Sequence, residues 1–285
     1  MMVLALAGAV SIAAAVAARP SPTPAAEPVS ISIHASPVDA VRVALASAPV
    51  VVVGFGEMHQ THATAGIPSA LRRFTDDIFP AVAEQFSHLV VETWVATGRC
   101  GETERAVTAD VERATARPAS TETEIGALIR QGAAAGVVPR ILSISCADYA
   151  VMRPPGGAVD YDKTLRITAS ALQAAVLRSL ALRSNGQPRP LLAVYGGALH
   201  NDVRPQAGVA PYSFVPGIMA ATLGRYLEID LVVPEYAAGS AFARVQNWWK
   251  PYLEARGRAS ATIMVRRGPR SFVIVFPAQR KAKAR

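Results

Sequence analysis

Residues 50–59 read VVVVGFGEMH, and the first six of them indicate the fold class. An apolar run without polar alternation is typical of a central strand that helices cover on both faces. Similar runs recur along the chain, separated by segments with helical periodicity. They are HLVVET at 88–93, RILSIS at 140–145, LLAVY at 191–195 and LEIDLVV at 227–233. This alternation predicts an α/β fold, with a mainly parallel central sheet and helices on both faces.

The end of the chain departs from this alternation. Ala261–Val265 and Ser271–Phe276 are apolar runs joined by Arg267-Gly268-Pro269, which predicts a C-terminal antiparallel hairpin. No internal repeat and no boundary divides residues 35–276, so we expect one domain there, followed by a basic tail at 277–285. The main predicted helices cover 36–46, 69–86, 163–182, 216–225 and 241–256, with breaks expected at Pro80 and Pro251.

The pattern of the N-terminal residues is typical of an export signal. The apolar run VLALAGAVSIAAAVAA at 3–18 is shorter than the roughly 20 residues that a bilayer span needs, and it ends in the small-x-small pattern of a cleavage site. We expect a cleaved signal peptide at 1–18, with an uncleaved anchor as the alternative, and a flexible linker at 19–34. No later segment is long and charge-free enough to cross a bilayer. The mature protein is therefore expected in the periplasm or secreted, without a stable membrane span.

Cysteine content and charge exclude several classes of protein. Two cysteines, Cys100 and Cys146, exclude a disulfide-framework miniprotein and a Cys-rich zinc module. An oxidising compartment allows one bridge between them, and two separate thiols are the alternative. With 51% hydrophobic residues among 285, the chain can bury a core and is not disordered. The net charge of +8 comes from arginine spread along the chain, so we expect no nucleic-acid partner, which would need clustered basic residues.

Polar residues follow the predicted strands. Ligands of an open parallel sheet bind beyond the carboxyl ends of its strands. Five strands in succession bring a carboxylate, a histidine or both to that edge. These residues are Glu57 with His59, Glu92, Asp148, His200 and Glu235. Asp148 and Glu235 are weaker candidates, whereas His34, His62 and His88 carry no site argument.

Two short motifs stand out among these residues. In Glu57-x-His59 the two side chains face the same side of an extended backbone, so both can address one atom. Gly54 and Gly56, just before them, lack a Cβ and would let the chain turn sharply and approach a ligand closely. A second motif, Gly197-x-x-His200, also follows an apolar strand. Capping or surface roles for single residues are the structural alternative.

The chemistry of these groups leaves two mechanisms open. His59, Glu92 and His200 suit a divalent first-row metal with open positions for water, and the metal would lower the pKa of that water towards ~7. A carboxylate free of the ion, most simply Glu57, would then be the general base. Without a metal, a histidine activates water and a glutamate orients that histidine. No dinucleotide fingerprint, P-loop or G-x-S-x-G motif is present in the sequence.

With GExH after the first strand, Glu92 at the end of the next and GxxH after a later one, the chain resembles the Tiki-like superfamily. That superfamily includes ChaN-like haem-uptake proteins, erythromycin-esterase-like hydrolases, TraB/PrgY proteins and Tiki metalloproteases. VVGFGEMHQTH is especially similar to the ChaN-like and esterase-like openings. The resemblance spans about residues 50–235 and implies functional roles for Glu57, His59, Glu92 and His200.

The resemblance implies two functions. The first is an exported hydrolase that cleaves an ester or amide bond in a small-molecule or peptide substrate, with or without a metal. The second is a haem-binding or metal-binding uptake protein without turnover, for which Tyr195, Tyr149, His59 and His200 are candidate axial ligands. A third hypothesis is that the domain is a degenerate scaffold that serves as an interaction protein. Neither the substrate nor the oligomeric state follows from the sequence.

Overall fold

Eight strands form one sheet in the computed structural model, which describes residues 29–183, 189–258 and 261–278. The strands are β1 (Ser30–His34), β2 (Val52–Glu57), β3 (Phe86–Thr97), β4 (Val138–Ser145), β5 (Leu191–Gly197), β6 (Tyr226–Val232), β7 (Thr262–Gly268) and β8 (Ser271–Val275). Their order in the sheet is β1-β7-β8-β6-β2-β5-β3-β4. The run VVVVGF therefore leads into a strand near the middle of the sheet, and every residue of that strand is buried.

Strand directions confirm the predicted fold class. β2 pairs in parallel with β5 and β6, β3 pairs in parallel with β4 and β5, and β6 pairs in parallel with β8. β7 pairs antiparallel with β8, which is the C-terminal hairpin expected from the sequence. The sheet is thus mainly parallel, with an antiparallel margin at one side.

Helices cover both faces of this sheet. Val53 and Phe55 pack into one apolar cluster, and Val52 packs into another on the opposite face, because alternate residues of a strand point to opposite sides. The helices are α1 (Pro37–Ala46), α2 (Ala70–Arg73), α3 (Phe79–Val82), α4 (Gly101–Thr115), α5 (Ser120–Ala134), α6 (Cys146–Met152), α7 (Tyr161–Ala181), α8 (Ala198–Asn201), α9 (Val215–Ala221), α10 (Pro234–Gly239), α11 (Ala241–Arg244) and α12 (Trp249–Ala255). Short 3₁₀ turns lie at His62–Thr64, Ala83–Gln85, Ala210–Tyr212 and Arg256–Arg258.

Two of the predicted helices are interrupted before their prolines and not at them. The segment predicted at 69–86 is helical, but a π-helical turn at Phe74–Ile78 precedes Pro80, which stands in the first turn of α3. A π-turn is a common way to absorb an interruption of the helical hydrogen-bond ladder. The prediction of a single helix at 241–256 with a kink at Pro251 is wrong. The chain forms two short helices, α11 and α12, and Pro251 lies within the second of them.

The linker expected at 19–34 is wrong for its last five residues, which form β1. Ser30 pairs with Arg266 and His34 with Thr262 in an antiparallel ladder. Ile31 and Ile33 stay 37% and 39% exposed, so the strand is held by backbone hydrogen bonds to the open edge of β7 more than by burial. The signal peptide at 1–18 and residues 279–285 of the tail lie outside the described residues. Within the described ranges, no helix has both the length and the apolar character needed to cross a membrane.

Cys100 and Cys146 form a disulfide, with an S–S distance of 2.08 Å. The bridge joins the start of α4 to the start of α6, beside the final β3–β4 pair between Thr97 and Ser145. From the sequence, a disulfide and two separate thiols were both possible for these cysteines, and the structure contains the disulfide.

Candidate functional site

Three neighbouring parallel strands bring the predicted site residues together. β2 ends at Glu57, β3 carries Glu92, and β5 runs through Gly197 into α8, which contains His200. Because β5 lies between β2 and β3 and all three run in the same direction, the carboxyl ends of β2 and β5 meet at one edge. Glu92, predicted at the end of its strand, lies instead within β3, which continues to Thr97, and it reaches this edge where the register with β4 shifts between Val91 and Trp94.

Glu57 is a buried carboxylate with both oxygens engaged. Its Oε1 lies 2.9 Å from Nδ1 of His59, and its Oε2 accepts a hydrogen bond of 2.8 Å from the hydroxyl of Tyr195. An ionised carboxylate only accepts hydrogen bonds, so Nδ1 of His59 carries the proton of that pair. Glu57 therefore orients the His59 imidazole, with one hydrogen bond to each of its two oxygens.

The surroundings of Glu57 keep it ionised and keep Tyr195 protonated. Burial alone raises the pKa of Glu57, but the hydrogen bond from His59, the charge of Arg117 and the hydrogen bond from Tyr195 together bring that pKa below its usual value. Burial and the neighbouring Glu57 carboxylate raise the pKa of Tyr195 well above its ordinary value. The phenol is thus a stable donor to a stable anion.

Arg117 contacts the other nitrogen of His59. One of its guanidinium nitrogens donates to Nε2 of His59, so Nε2 accepts and the imidazole is neutral with its proton on Nδ1. Arg117 lies in the loop after α4, where Ala116 adopts a left-handed conformation with φ of 47° and its carbonyl accepts a 2.9 Å hydrogen bond from the His62 backbone. No feature of the sequence singled out Arg117, because a contact between two loops leaves no periodic pattern.

Glu92 and His200 form a second pair. Oε2 of Glu92 accepts a 2.6 Å hydrogen bond from the Gly197 backbone, and Oε1 lies 3.9 Å from Nε2 of His200. Nδ1 of His200 lies 2.6 Å from the carbonyl of Tyr212, which can only accept, so Nδ1 donates and Nε2 faces Glu92. Burial raises the pKa of Glu92, but the charge of His200, the charge of Arg117 and the hydrogen bond from the Gly197 N–H outweigh burial, so that this pKa lies below its usual value.

Gly197 separates the two pairs at close range. A Cβ on this residue would lie 2.9 Å from Nε2 of His59 and 3.5 Å from Oε2 of Glu92. Only glycine leaves that space free, and both pairs open onto it. The structure therefore brings Glu57, His59, Glu92 and His200 to one hollow.

His59, Glu92 and His200 are the ligands predicted for a divalent metal. Two imidazoles and a carboxylate are suitable ligand types, but Nε2 of His59, the nitrogen that would bind, accepts from the cationic Arg117. Among the described residues, no group of three or more His, Cys, Asp or Glu side chains has a geometry that could hold a metal ion. With these side-chain positions, the residues do not fit a metal centre.

Other candidates from the sequence lie elsewhere. Asp148 forms a capping box with Ser145 at the start of α6, and Glu235 lies in the first turn of α10. Tyr149, a candidate haem ligand, is 1% exposed in an apolar cluster, and Tyr195 is bound to Glu57. Three histidines lie outside the hollow: His62 is exposed, His88 contacts Ser87 at the start of β3, and His34 contacts Ser32 on the edge strand.

A polar network that sequence reasoning missed lies beside the hollow. The close approach that the sequence predicted for a ligand at Gly54 and Gly56 is made instead by side chains of the protein, Asn201 and Tyr226 at Gly54 and Asp230 at Gly56. Asn201 donates to the Gly54 carbonyl at 3.1 Å and to Oδ1 of Asp230 at 3.4 Å. A signal existed in LEIDLVV, where Glu228 and Asp230, two residues apart in a strand, point to the same face.

Arg267 completes this network. It donates to Oε1 of Glu228 at 2.5 Å and to Oδ2 of Asp230 at 3.0 Å. Burial raises the pKa of Glu228 to about 8 and that of Asp230 to about 6, because one guanidinium does not fully compensate two buried carboxylates. Next to the network is a cavity of about 600 Å³.

The chain was compared with known proteins. No protein-family model and no curated protein matches it. One solved structure, described as the structure of the type III effector HopBA1, aligns with a TM-score of 0.44 and 14% sequence identity, covering 88% of this chain and 98% of that one. A likeness at this level carries no argument about function.

Proposed function

We propose that the protein is an exported hydrolase of the Tiki and erythromycin-esterase-like type, which cleaves an ester or amide bond by general-base catalysis without a metal. One observation carries the proposal: Glu57 holds Nδ1 of His59 at 2.9 Å, and this directs Nε2 into a hollow that also contains Glu92, His200 and Arg117. A carboxylate that fixes the tautomer of a histidine is a recurrent arrangement for activating water or a hydroxyl.

His59 is the catalytic base in this proposal. Substrate entering the hollow takes over the guanidinium of Arg117, which frees Nε2 to remove a proton from water. The water oxygen bonds to the carbonyl carbon, and the carbonyl electrons move to its oxygen. The tetrahedral intermediate then expels the alcohol or amine, which takes the proton from His59 as it leaves.

Arg117 and the second pair support this step. The guanidinium donates to the negatively charged oxygen of the tetrahedral intermediate, where a preorganised donor has its largest effect. Oε1 of Glu92 accepts a hydrogen bond from the attacking water, and His200, held through Tyr212, faces the same carboxylate. Glu57 and Tyr195 are positioning residues, because they act through His59.

Two observations support export. The disulfide between Cys100 and Cys146 is typical of proteins in oxidising compartments. The apolar run at 3–18, with its small-x-small end, has the pattern of a signal peptide. Expression with and without residues 1–18, followed by fractionation, tests this part: both forms remaining in the cytosol would contradict it.

His59→Gln tests the hydrolytic centre. We expect the variant to lower kcat/KM on p-nitrophenyl acetate and on peptide p-nitroanilides by about 10²–10⁴-fold, the usual contribution of a general base. His62→Gln is the matched control, since His62 is exposed and three residues away, and it should keep the wild-type rate. Equal rates for wild type and His59→Gln, or no hydrolysis by the wild type of either class, would overturn the proposal.

Metal and haem binding are measured on the same preparation. Because Arg117 contacts the nitrogen that a metal would need, we expect hydrolysis to survive dialysis against EDTA. Loss of activity that Zn²⁺ or Mn²⁺ restores would contradict the metal-free mechanism. A Soret band that saturates at one haem per chain and disappears in His200→Ala would favour haem uptake over hydrolysis.

A further inference from the structure

The cavity of about 600 Å³ is lined by residues that directly follow β2 and β5, so it lies at the same edge of the sheet as the proposed catalytic hollow. Met58, which lines it, lies between Glu57 and His59 in the chain. Ala198 and Leu199, which also line it, lie between Gly197 and His200. The same two segments therefore contribute both catalytic groups and cavity lining, and the volume is that of a small-molecule site.

Part of the cavity lining is polar and rigidly built. Asp230 and Arg267 line it, and they are joined to each other at 3.0 Å. Both lie on strands, and Arg267 is further held by Glu228 at 2.5 Å and by Ser271 at 3.0 Å. Polar groups fixed in this way can bind a ligand without losing side-chain freedom.

The polar lining mixes donors and acceptors instead of concentrating one charge. Asp202 and Asp230 only accept hydrogen bonds, Arg204 and Arg267 only donate, and the amide of Asn247 does both. An anionic ligand would meet the two carboxylates, and a cationic ligand the two guanidinium groups. A hydroxyl both donates and accepts, so adjacent hydroxyls match neighbouring carboxylate and guanidinium groups.

The cavity lining also has an apolar part. Phe242, Val245 and Trp248 line it, and Phe242 is 53% exposed. A sugar ring has hydroxyls on its edge and C–H groups on its faces, so it can lie against an aromatic side chain while its edge meets polar groups. One sugar ligand would then contact both the polar and the apolar residues that line the cavity.

We propose that this cavity binds the sugar portion of an O-acylated saccharide, whose ester carbonyl enters the adjacent hollow. This inference rests on the proposed function for its catalytic half. Hydrolysis at His59 then adds water across the ester, releasing a carboxylic acid from the acyl side and restoring the free hydroxyl of the sugar.

Binding is tested first, without catalysis. Methyl glycosides of glucose, galactose and N-acetylglucosamine are titrated into the full chain while tryptophan fluorescence and heat are recorded, because Trp248 lines the cavity. We expect at least one glycoside to bind and Phe242→Ala to weaken that binding about tenfold, as loss of a central contact does. Asp230→Asn is avoided as the sole test because the residue is buried in the Arg267 network, whereas Phe242 and Asn247 are exposed.

Val43→Ala is the matched control, since Val43 is an exposed apolar residue on α1, against the opposite face of the sheet. It should bind the glycosides as the wild type does. No signal with any of the three glycosides overturns the proposal, and so does tight binding of octanoate alone, which would assign the cavity to an acyl chain.

Catalysis is tested second, with acetylated methyl glycosides against p-nitrophenyl acetate. We expect Phe242→Ala and Asn247→Ala to lower kcat/KM about tenfold more on the acetylated sugar than on the chromogenic ester. Equal losses on both esters overturn the sugar assignment. Glycoside binding with no hydrolysis of any ester sinks the proposed function alone, so the two failures are distinguishable.

Discussion

The hydroxyl of Tyr195 donates a 2.8 Å hydrogen bond to Glu57, and the two residues come from adjacent parallel strands. Phe55 is the register partner of Tyr195, so Glu57 lies one pleat further along on the same face. The phenol reaches the carboxylate oxygen that His59 does not use. The register between β2 and β5 therefore places Tyr195 against Glu57, and Glu57 in turn orients His59, the proposed base.

Tyr195→Phe removes this donor while leaving the ring in place. Because the Tyr195 hydrogen bond helps to lower the pKa of Glu57, its loss raises that pKa, and ionised Glu57 is then lost at a higher pH. We expect kcat to fall about tenfold, the effect of one hydrogen bond to a charged group, with KM little changed. The acid limb of the pH–rate profile should move to higher pH.

The control for this variant is Tyr161→Phe, which removes a surface hydrogen bond to the Asp110 carbonyl. It should change neither kcat nor the pH profile. A Tyr195→Phe protein with an unshifted acid limb would show that the phenol has only a structural role.

Arg117→Met removes the proposed donor to the oxyanion. We expect kcat to fall about 10²–10³-fold, as for loss of one such donor. Arg117→Lys should recover only part of this loss, because an ammonium keeps the charge but not the planar fork. Steady-state kinetics on p-nitrophenyl acetate measure both variants.

Arg113→Met is the comparison for Arg117→Met, since Arg113 lies four residues earlier, is 74% exposed and pairs with Asp110. Exposed ion pairs contribute little, so its rate should match the wild type. Similar losses in the two variants would mean that the effect of Arg117 is not located in the hollow.

Removing the disulfide should destabilise the protein. Cys100 and Cys146 are 46 residues apart, and a bridge closing a loop of this length contributes about 4 kcal/mol in the chain-entropy account. The double variant Cys100→Ser/Cys146→Ser should show that loss in denaturant unfolding. Dithiothreitol should lower the Tm of the wild type and leave the double variant unchanged.

Thiol titration gives an independent measurement. Denatured, unreduced protein should contain no free thiol, because both cysteines are in the bridge. Two reactive thiols under those conditions would contradict the structure.

Stability should fall as the pH rises from about 5 to 8 because of Glu228. Its pKa of about 8 in the fold exceeds the usual 4.5, so the folded state keeps a proton that the unfolded state has lost. The unfolded state then binds fewer protons, and the free energy of unfolding decreases with pH across this window. In Glu228→Gln, the decrease in the free energy of unfolding between pH 5 and 8 should be smaller by at least about 1.4 kcal/mol, the equivalent of one pKa unit.

Glu84→Gln is the matched substitution for the pH experiment, because Glu84 is exposed on the turn before β3. Its profile should parallel the wild type. If Glu228→Gln retains the full wild-type slope between pH 5 and 8, then Glu228 is not the group that holds the extra proton.

The fold could be predicted in most of its parts because the patterns involved are local. VVVVGF indicated a buried strand, and β2 is buried throughout. Ser36, expected to cap α1, accepts a hydrogen bond from the Asp39 backbone. The strand at 30–34 was missed because its isoleucines are partly exposed and its stability comes from pairing with β7, which lies more than 200 residues further along.

The site could be predicted only in part, for a related reason. Glu57, His59, Glu92 and His200 each follow or end an apolar strand, which is visible in the sequence. Arg117 and the Tyr212 carbonyl come from loops, and their contacts with His59 and His200 depend on how those loops pack. The role proposed for Glu57 also changed, because this predicted base holds Nδ1 of His59 and is itself held by Tyr195, contacts that the sequence does not reveal.

The sequence by itself was sufficient to predict the buried strands, their mainly parallel direction and the polar residues near their ends, because hydrophobic periodicity and side-chain alternation are properties of a few consecutive residues. Tertiary structure alone decided that β5 lies between β2 and β3, that Arg117 reaches His59, and that Cys100 meets Cys146. These contacts join distant parts of the chain, and their formation depends on how the whole core packs, which no short stretch of residues encodes.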